Sequence, residues 1–174
     1  MNIISCDIRH LPAIMAIFND AIIHSTALYE YEPRSLQTVT TWFETTTKSG
    51  YPVIGIESDT GELMGFASYG VFRNKPGYKY TVEHSVYVDA RFQRQGIGSL
   101  LMKELIRLAQ SRNVHTLIGA IDAANEASIT LHRRLGFEYC GTIKQAGFKF
   151  GRWLDMVFYQ LILPTPAHPV DRPS

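Results

Sequence analysis

Two glycines near the middle of the chain have the spacing of a phosphate-binding turn. The run 86–89 has the pattern of a strand end, and Gly96 and Gly98 follow it at the start of a segment with helical periodicity. The first N–H groups of a helix lack partners within the helix and lie at the positive end of its dipole. Glycine lets an anion approach these groups closely, and Arg91 and Arg94 would add positive charge. The segment therefore predicts a pyrophosphate site.

The glycine segment could be one of three kinds of phosphate-binding sequence, or it could be a tight turn that binds no ligand. A P-loop needs Gly-Lys-Ser/Thr after four intervening residues, and the segment lacks it. A dinucleotide-binding fingerprint needs a third glycine near position 101, which is occupied by Leu101. The remaining pattern, Gln93-x-x-Gly96-x-Gly98, resembles the acetyl-CoA signature of the GNAT acyltransferase superfamily.

A second set of polar residues lies on one face of a later predicted helix. Asn125, Ser128 and His132 are spaced by three and four residues, so an amide, a hydroxyl and an imidazole share that face. Taken alone, Asn125 is an N-cap and His132 a surface histidine. The segment ends in Leu135-Gly136-Phe137 and resembles the second acetyl-CoA motif of GNAT proteins. That resemblance implies that Asn125 contacts the pantetheine arm and that His132, where most members have tyrosine, lies near the thioester sulfur.

The strand before the glycine turn carries ionisable groups on both faces. Alternation places Val82, His84, Val86 and Val88 on one face, and Glu83, Ser85 and Tyr87 on the other. A carboxylate in such a strand is either a device that keeps an edge strand soluble or a functional base. Both interpretations of Glu83 stay open at this level.

Three segments together resemble the phosphinothricin and methionine sulfoximine (methionine sulfone) acetyltransferases: 81–88, Leu131-His132 and 147–155. The resemblance extends over residues 3–162. It implies acetyl-CoA as cosubstrate, a homodimer, and a small-molecule amino acid substrate with a free α-amine, an α-carboxylate and a tetrahedral polar end. It also implies that Glu83 and His132 are the catalytic pair.

The remaining site predictions combine the resemblance with the positions of polar residues. The predicted cofactor-binding residues are Val86, Tyr87, Val88, Arg94, Gln95, Gly96, Ile97, Gly98, Ser99, Asn125 and Ser128. A buried substrate carboxylate needs cationic partners, and the predicted substrate-binding residues are Arg73, Lys75, Tyr29, Glu30 and Ser85. No metal is expected. The segment 28–31 departs from the family pattern, which leaves the identity of the substrate open.

The predicted reaction is direct acetyl transfer to a primary amine, without a covalent enzyme intermediate. Glu83 would remove the amine proton directly or through water, and His132 would protonate the departing thiolate or act as a second base. Backbone N–H groups of residues 86–88 would hold the cofactor arm and polarise the thioester carbonyl. Two alternatives stay open: acetylation of a protein N-terminus, and a CoA-binding regulatory module without turnover.

The elements that must position these residues follow the order β-α-α-β-β-β-α-β-α-β-β. Hairpin-joined strands come first and strand–helix–strand units later, so we expect an α/β fold with a central mixed sheet flanked by helices, the GNAT fold. Residues 1–163 are predicted to form a single acetyltransferase domain. Residues 164–174 contain four prolines and are predicted to be a loose tail.

Composition restricts the classes of function. Seventeen Lys and Arg against sixteen Asp and Glu give a net charge of +1, which argues against a nucleic-acid or anionic-membrane partner. Two cysteines cannot form a disulfide framework or a four-thiolate zinc site. The sequence has no apolar run of about 18 residues and no basic region before an apolar segment at its start, so a cytoplasmic location is expected.

Overall fold

Seven strands form one mixed sheet in the part of the chain described by the computed structural model, residues 1–171. Their order across the sheet is β1-β2-β3-β4-β5-β7-β6, and only β4 and β5 are parallel neighbours. The bounds are β1 Asn2–Ser5, β2 Val53–Glu57, β3 Leu63–Val71, β4 Thr81–Val88, β5 Thr116–Asp122, β6 Glu138–Lys149 and β7 Arg152–Ile162. The predicted mixed sheet and the order of elements are confirmed.

Helices cover both faces of this sheet. The described residues form four α-helices: α1 Leu11–His24, α2 Leu36–Lys48, α3 Ile97–Ser111 and α4 Glu126–Arg134. One apolar cluster joins α3 and α4 to the sheet, and a second joins α1 and α2 to its other face. The helix ends follow local sequence signals: Ser35 caps α2 by accepting a hydrogen bond from the N–H of Thr38 at 3.1 Å, and Gly136 follows α4 with φ +87°.

The central strands β3 and β4 have different surroundings on their two faces. Phe66 belongs to the α1–α2 cluster, whereas its neighbour Ala67 belongs to the α3–α4 cluster. On β4, Val82 packs in the α3–α4 cluster and Tyr87 packs against the α1–α2 cluster. The alternation predicted for β4 is therefore confirmed, and it sends Glu83 and His84 to opposite faces of the sheet.

The hairpin of β6 and β7 is longer than the sequence predicts. The sequence pattern predicts a strand over residues 137–142, but β6 continues through residues 143–149, and a turn with Phe150 at φ +51° and Gly151 at φ +72° leads into β7. Register shifts between Tyr139 and Gly141 and between Ile143 and Gly147 interrupt the pairing. These irregularities break the two-residue period by which a strand is recognised.

Lys149 connects this hairpin to the end of α1. Its side chain is buried, and Nζ donates hydrogen bonds to the carbonyl oxygens of Ile22, Ser25 and Leu28 at 2.6, 2.8 and 2.7 Å. Burial lowers the pKa of the ammonium group. The three carbonyls replace the water that this cation would otherwise bind, so a polar contact fixes the hairpin to the segment after α1.

The described part of the C-terminal tail lies against the starts of β4 and β5. Thr165 Oγ1 donates to the carbonyl of Val114 at 2.6 Å, and Lys79 Nζ donates to the carbonyl of Asp171 at 2.6 Å. Residues 172–174 of the predicted tail lie outside the described residues. The division into a domain and a loose tail remains a prediction.

Within residues 1–171, no helix is long and apolar enough to cross a membrane.

Candidate active site

The parallel strands β4 and β5 separate after Glu83. They pair only from Thr81 to Glu83 on β4, opposite Thr116 to Ile118 on β5. Beyond that point β5 stays paired with β7 as far as Asp122, while the corresponding edge of β4 has no strand partner among residues 1–171. The divergence opens a cleft through the middle of the sheet.

The hydrogen-bond pattern of β4 shows which main-chain groups face this cleft. The N–H of Asp89 donates to the carbonyl of Met64 on β3 at 3.0 Å. Bonded pairs alternate in an antiparallel ladder, so Tyr87 and Ser85 also direct their main-chain groups towards β3. Val86 and Val88 direct theirs towards the cleft, where an extended ligand can pair with them as a strand would.

The turn after β4 places the N-terminus of α3, which no side chain caps, beside the same cleft. Gly96 is the N-cap of α3 with φ +80°, and no side chain caps the first turn. A Cβ at Gly98 would meet Leu131 at 3.5 Å and Val88 at 3.8 Å, which are ordinary contacts, so the fold itself does not require glycine there. The free N–H groups of residues 97–99 and the space above Gly98 fit an anionic ligand.

The arginines of this turn differ in their surroundings. The guanidinium of Arg91 forms ion pairs with the carboxylates of Asp89 and Glu62, so carboxylates of the protein already balance its charge. Arg94, at φ +61°, and Gln95 are exposed beside the helix N-terminus. Of the two arginines that the sequence suggests for charge compensation, Arg94 is the one without such a carboxylate pair among the described contacts.

Helix α4 brings its three predicted polar residues together. Asn125 Oδ1 accepts a hydrogen bond from the N–H of Ser128 at 3.1 Å, so Asn125 is the N-cap. The carbonyl of Ser128 lies 2.7 Å from Nδ1 of His132, and Ser128 Oγ lies 3.5 Å from the same nitrogen. His132 is only 6% exposed, so the alternative of a surface histidine is wrong. Burial lowers the pKa of its imidazole, and the Ser128 carbonyl opposes that shift.

His84 is the nearest ionisable partner of His132. The two Nε2 atoms are 2.8 Å apart, and the rings meet edge to edge, with their centroids 5.1 Å apart and their planes inclined by 24°. A Cβ at Gly119 on β5 would lie 2.9 Å from Nε2 of His132, so glycine makes room for the pair. The sequence places His84 on the face that carries the α3–α4 core but gives no sign of this partner, because 48 residues separate the two histidines.

Glu83 lies on the other face, in a cavity of about 350 Å³. The cavity is lined by Trp42, Thr46, Ser68, Tyr69, Gly70, Val71, Glu83, His84, Ser85 and Tyr87. Because β4 is a central strand, the edge-strand interpretation of Glu83 is wrong. Its side chain is open to the cavity, and the surrounding protein desolvates the carboxylate enough to raise its pKa. A carboxylate with a raised pKa is a stronger base.

Tyr87 forms part of the wall beside Glu83. Its ring packs against Phe18 and Phe66 with centroids 5.1 and 5.4 Å apart, and burial raises the pKa of its phenol to about 12. The guanidinium of Arg34 lies 4.0 Å from the centroid of the Phe18 ring. This half-buried cation was not expected from the sequence, because nothing in its position after Pro33 marks it as part of a site.

The predicted substrate-binding residues fall in three places. Ser85 lines the cavity with Glu83, whereas Arg73 and Lys75 are exposed in the loop between β3 and β4. Tyr29 donates a hydrogen bond to Asp122 Oδ2 at 3.2 Å, and Glu30 forms an ion pair with Arg34. The structure thus brings Ser85 and Glu83 together, and it places the other four outside the cavity wall.

No group of three or more His, Cys, Asp or Glu side chains that could hold a metal ion occurs within residues 1–171.

Comparison with known proteins gives consistent matches over nearly the whole chain. The model of the acetyltransferase (GNAT) family matches residues 14–137. The chain is 45% identical over 163 residues to an L-methionine sulfoximine/L-methionine sulfone acetyltransferase from Pseudomonas aeruginosa, covering 93% of this chain and 95% of that protein.

Two solved structures are similar in both sequence and shape. One is a GNAT superfamily phosphinothricin acetyltransferase from Sinorhizobium meliloti in complex with acetyl-CoA, with a TM-score of 0.93, 34% identity, and coverage of 97% of this chain and 91% of that one. The other is a ribosomal-protein-alanine N-acetyltransferase from Brucella melitensis, with a TM-score of 0.92, 45% identity, and coverage of 94% and 100%.

Proposed function

The chain belongs to the acetyltransferase (GNAT) family and is an acetyl-CoA-dependent N-acetyltransferase, and from this premise we propose that it acetylates the α-amino group of a small amino acid analogue of the methionine sulfoximine, methionine sulfone or phosphinothricin type. The observation that carries the proposal is the position of Glu83, which ends the pairing of β4 with β5 and lines a cavity of about 350 Å³ formed by α2, β3 and β4. The similarity to the Pseudomonas aeruginosa enzyme supports this substrate class.

Acetyl-CoA supplies the acetyl group as a thioester whose thiolate is the leaving group. The main-chain groups of Val86 and Val88 at the free edge of β4 would hold the pantetheine arm, with Tyr87 fixing the strand between them. The N–H groups of Ile97, Gly98 and Ser99 after Gly96 would bind the pyrophosphate, together with Arg94 and Gln95. Asn125 and Ser128 would face the arm from the start of α4.

Glu83 acts as the general base in this proposal. An α-amine with a pKa near 8 is about one-tenth neutral at pH 7, so forming the neutral nucleophile costs only about 1.4 kcal/mol. The carboxylate of Glu83 accepts the proton of the amine, directly or through a water molecule in the cavity. The raised pKa of Glu83 brings its basicity closer to that of the amine.

Charged side chains at the open end of the cavity would hold the substrate. The cavity residues Val71 and Glu83 lie next to the loop that carries Arg73 and Lys75, because Gly70 on β3 pairs with Glu83 on β4. Either cation would pair with a substrate carboxylate or with its tetrahedral polar end at this end of the cavity. Ser85 would contact the substrate from the cavity wall, and Tyr29 and Glu30 stay predicted contacts in the adjoining segment.

We also propose that the protein is a homodimer joined through an aromatic patch on the last hairpin. The hairpin patch consists of Tyr31, Phe148, Phe150 and Trp153, which are 67%, 46%, 57% and 60% exposed. Tyr31 is fixed to the hairpin by a hydrogen bond from its hydroxyl to the carbonyl of Phe148 at 2.6 Å. Large exposed aromatic side chains on an edge hairpin are typical of an interface, and a second copy of the chain is the partner that the resemblance implies.

Acetylation of a protein N-terminus is the second candidate, and the name of the Brucella melitensis relative favours it. The two candidates differ in what the cavity must hold, namely a whole amino acid or the end of an extended peptide. A cavity of about 350 Å³ favours the amino acid.

The proposal is tested by the release of thiol from acetyl-CoA in the presence of a panel of acceptors. The panel contains L-methionine sulfoximine, L-methionine sulfone, phosphinothricin, unmodified L-methionine, and a peptide with an N-terminal alanine. We expect turnover with the first three acceptors, confirmed by mass spectrometry of the N-acetyl product. Turnover with the peptide alone would replace the proposal with the second candidate, and binding of CoA without turnover would indicate a regulatory module.

A further inference from the structure

The hydrogen bonds of His84 and His132 define which nitrogen carries the proton in each ring. The carbonyl of Ser128 can only accept, so its 2.7 Å contact with Nδ1 of His132 places a proton on that nitrogen. In a neutral ring the Nε2 atom of His132 is then the acceptor. The 2.8 Å contact between the two Nε2 atoms therefore requires the proton of His84 to lie on its own Nε2.

This assignment leaves one imidazole nitrogen of the pair without a bond. Both nitrogens of His132 are engaged, and Nδ1 of His84 is buried without a hydrogen-bond partner among the described residues. A buried, unpartnered lone pair is costly in a folded protein and needs an explanation. The free nitrogen lies on the face of the sheet opposite Glu83, in a side chain that is 7% exposed.

Among residues 1–171, no carboxylate acts on the pair so as to hold a proton on it at rest. The pair packs against Phe137, with ring centroids 5.2 Å from His84 and 5.0 Å from His132. The other ionisable groups that face it are phenols: Tyr69, opposite His84 on β3, and Tyr159 on β7, 6.5 Å from His132. Burial lowers the pKa of His84 to about 3 and also lowers that of His132, so both rings are neutral near pH 7.

We propose that His84 is a positioning residue whose Nε2–H holds Nε2 of His132 in place as a hydrogen-bond acceptor, and that the two rings take up a single proton as one unit through Nδ1 of His84. This rests on the proposed function together with the predicted role of His132, which is to protonate the departing thiolate or to act as a second base. When a proton binds the lone pair of Nδ1 on His84, the Nε2–H bond of His84 can break as a new N–H bond forms at Nε2 of His132. The positive charge then moves to His132, whose Nδ1–H still donates to Ser128. Reversal of these transfers returns the proton.

The resting tautomers can be measured without any activity. Long-range ¹H–¹⁵N spectra of protein labelled with ¹⁵N-histidine distinguish protonated from unprotonated ring nitrogens. At pH 7.5 we expect His132 to carry its proton on Nδ1 and His84 to carry its proton on Nε2. A proton on Nε2 of His132, or a cationic ring in either residue, would overturn the proposal. Since these spectra need no substrate, the result stands even if the panel of acceptors shows no turnover.

Two variants of His84 separate positioning from simple packing. His84→Gln keeps an N–H donor near the position of Nε2 but cannot take up a proton, whereas His84→Leu removes both properties. The Ser128 carbonyl should keep the proton of His132 on Nδ1 in both variants. We expect the ¹⁵N chemical shift of Nε2 in His132 to stay close to the wild-type value in His84→Gln, which keeps a donor, and to move to that of an unbonded nitrogen in His84→Leu. The same Nε2 shift in both variants would show that His84 does not position His132.

The same variants test the shared proton. For His84→Gln we expect kcat to fall by about 10²-fold. One ionisation should disappear from the acid limb of the plot of kcat against pH, and the KM for acetyl-CoA should stay within about twofold of the wild-type value. His24→Gln, the same substitution at an exposed histidine outside the site, should leave all three quantities unchanged. An unchanged kcat and acid limb in His84→Gln would contradict proton uptake by the pair.

Discussion

Glu83 and His132 lie on opposite faces of the sheet, close to the point where the pairing of β4 with β5 ends. Glu83 shares its cavity with Trp42 and Thr46 of α2, whereas His132 projects from α4 in the cluster on the other face. Both ionisable groups have pKa values moved by burial, upward for the carboxyl and downward for the imidazole. Burial therefore favours the uncharged form of both groups.

At the residue scale, the buried histidines make stability depend on pH. The unfolded chain binds protons on histidine near pH 6.5, but burial lowers the pKa of His84 to about 3, so between these values the unfolded state holds more protons. The free energy of unfolding therefore falls as the pH falls below about 6.5, by up to about 1.4 kcal/mol per pH unit for this group. Denaturant unfolding at pH 7.5 and pH 5.5 measures the loss.

The matched comparison uses His84→Gln and His24→Gln. The loss of stability between the two pH values should be about 1 kcal/mol smaller in His84→Gln than in the wild type, because the substituted residue cannot bind a proton. His24 is exposed, so His24→Gln should lose as much as the wild type. Equal losses in all three proteins would contradict a buried, uncharged His84.

At this scale, sequence patterns could predict which side chains share one face of a strand or helix. They could not predict which side chains of different elements are in contact. Alternation along β4 placed Glu83 opposite His84, and helical spacing joined Asn125 to His132. The His84–His132 contact depends on α4 packing over Gly119 of β5, and no local period connects these three segments. Arg34 was missed for the same reason, because its position over Phe18 is a tertiary contact.

At the element scale, the turn between β4 and α3 and the divergence of β4 from β5 together form the proposed cofactor site. Gly96, Gly98 and the start of α3 were predictable, because a strand, a glycine turn and a helix follow one another in sequence. The divergence was not predictable, since it depends on where the pairing of two separate strands stops. It ends at Glu83 opposite Ile118, and this register is what frees the edge of β4.

A substitution at Gly98 tests this site with little risk to the fold. A methyl group there makes only ordinary contacts with Leu131 and Val88 within the protein, so Gly98→Ala should leave the melting temperature unchanged or slightly higher. If the pyrophosphate approaches this main chain, the same methyl group should weaken acetyl-CoA binding about tenfold or more, as measured by calorimetry.

The control for Gly98→Ala is Ser111→Ala, in the last turn of the same helix. It should bind acetyl-CoA as the wild type does. Binding of wild-type strength by Gly98→Ala would show that the cofactor does not approach the start of α3.

At the scale of the whole molecule, the hairpin of β6 and β7 carries the proposed dimer interface. Lys149 fixes the hairpin to the end of α1 and the segment after it through three hydrogen bonds, while the side chains of the hairpin patch are exposed. The order of elements was predictable from periodicity. The length of β6 was not, because its register shifts hide the alternation, and the tail contacts with Val114 and Lys79 leave no pattern in the sequence.

The proposed dimer predicts the effect of a charge in the hairpin patch. Trp153 is 60% exposed, and Trp153→Glu would place a carboxylate in the interface without removing a core contact. Light scattering after gel filtration should give the mass of two chains for the wild type and of one chain, 19.7 kDa, for the variant. Ile8→Glu, at a residue 73% exposed in the segment after β1, is the control and should stay dimeric. A monomeric wild type, or a dimeric Trp153→Glu, would exclude this interface.

The turnover of Glu83→Gln with L-methionine sulfoximine tests the central claim most directly. The amide keeps the size of the side chain but cannot accept the amine proton, so kcat should fall by about 10²–10⁴-fold while acetyl-CoA binding and the melting temperature stay close to wild type. Glu138→Gln, the same change at an exposed position on β6, should keep full activity. Wild-type turnover by Glu83→Gln at neutral pH would contradict the account, because the base would then have to be another group.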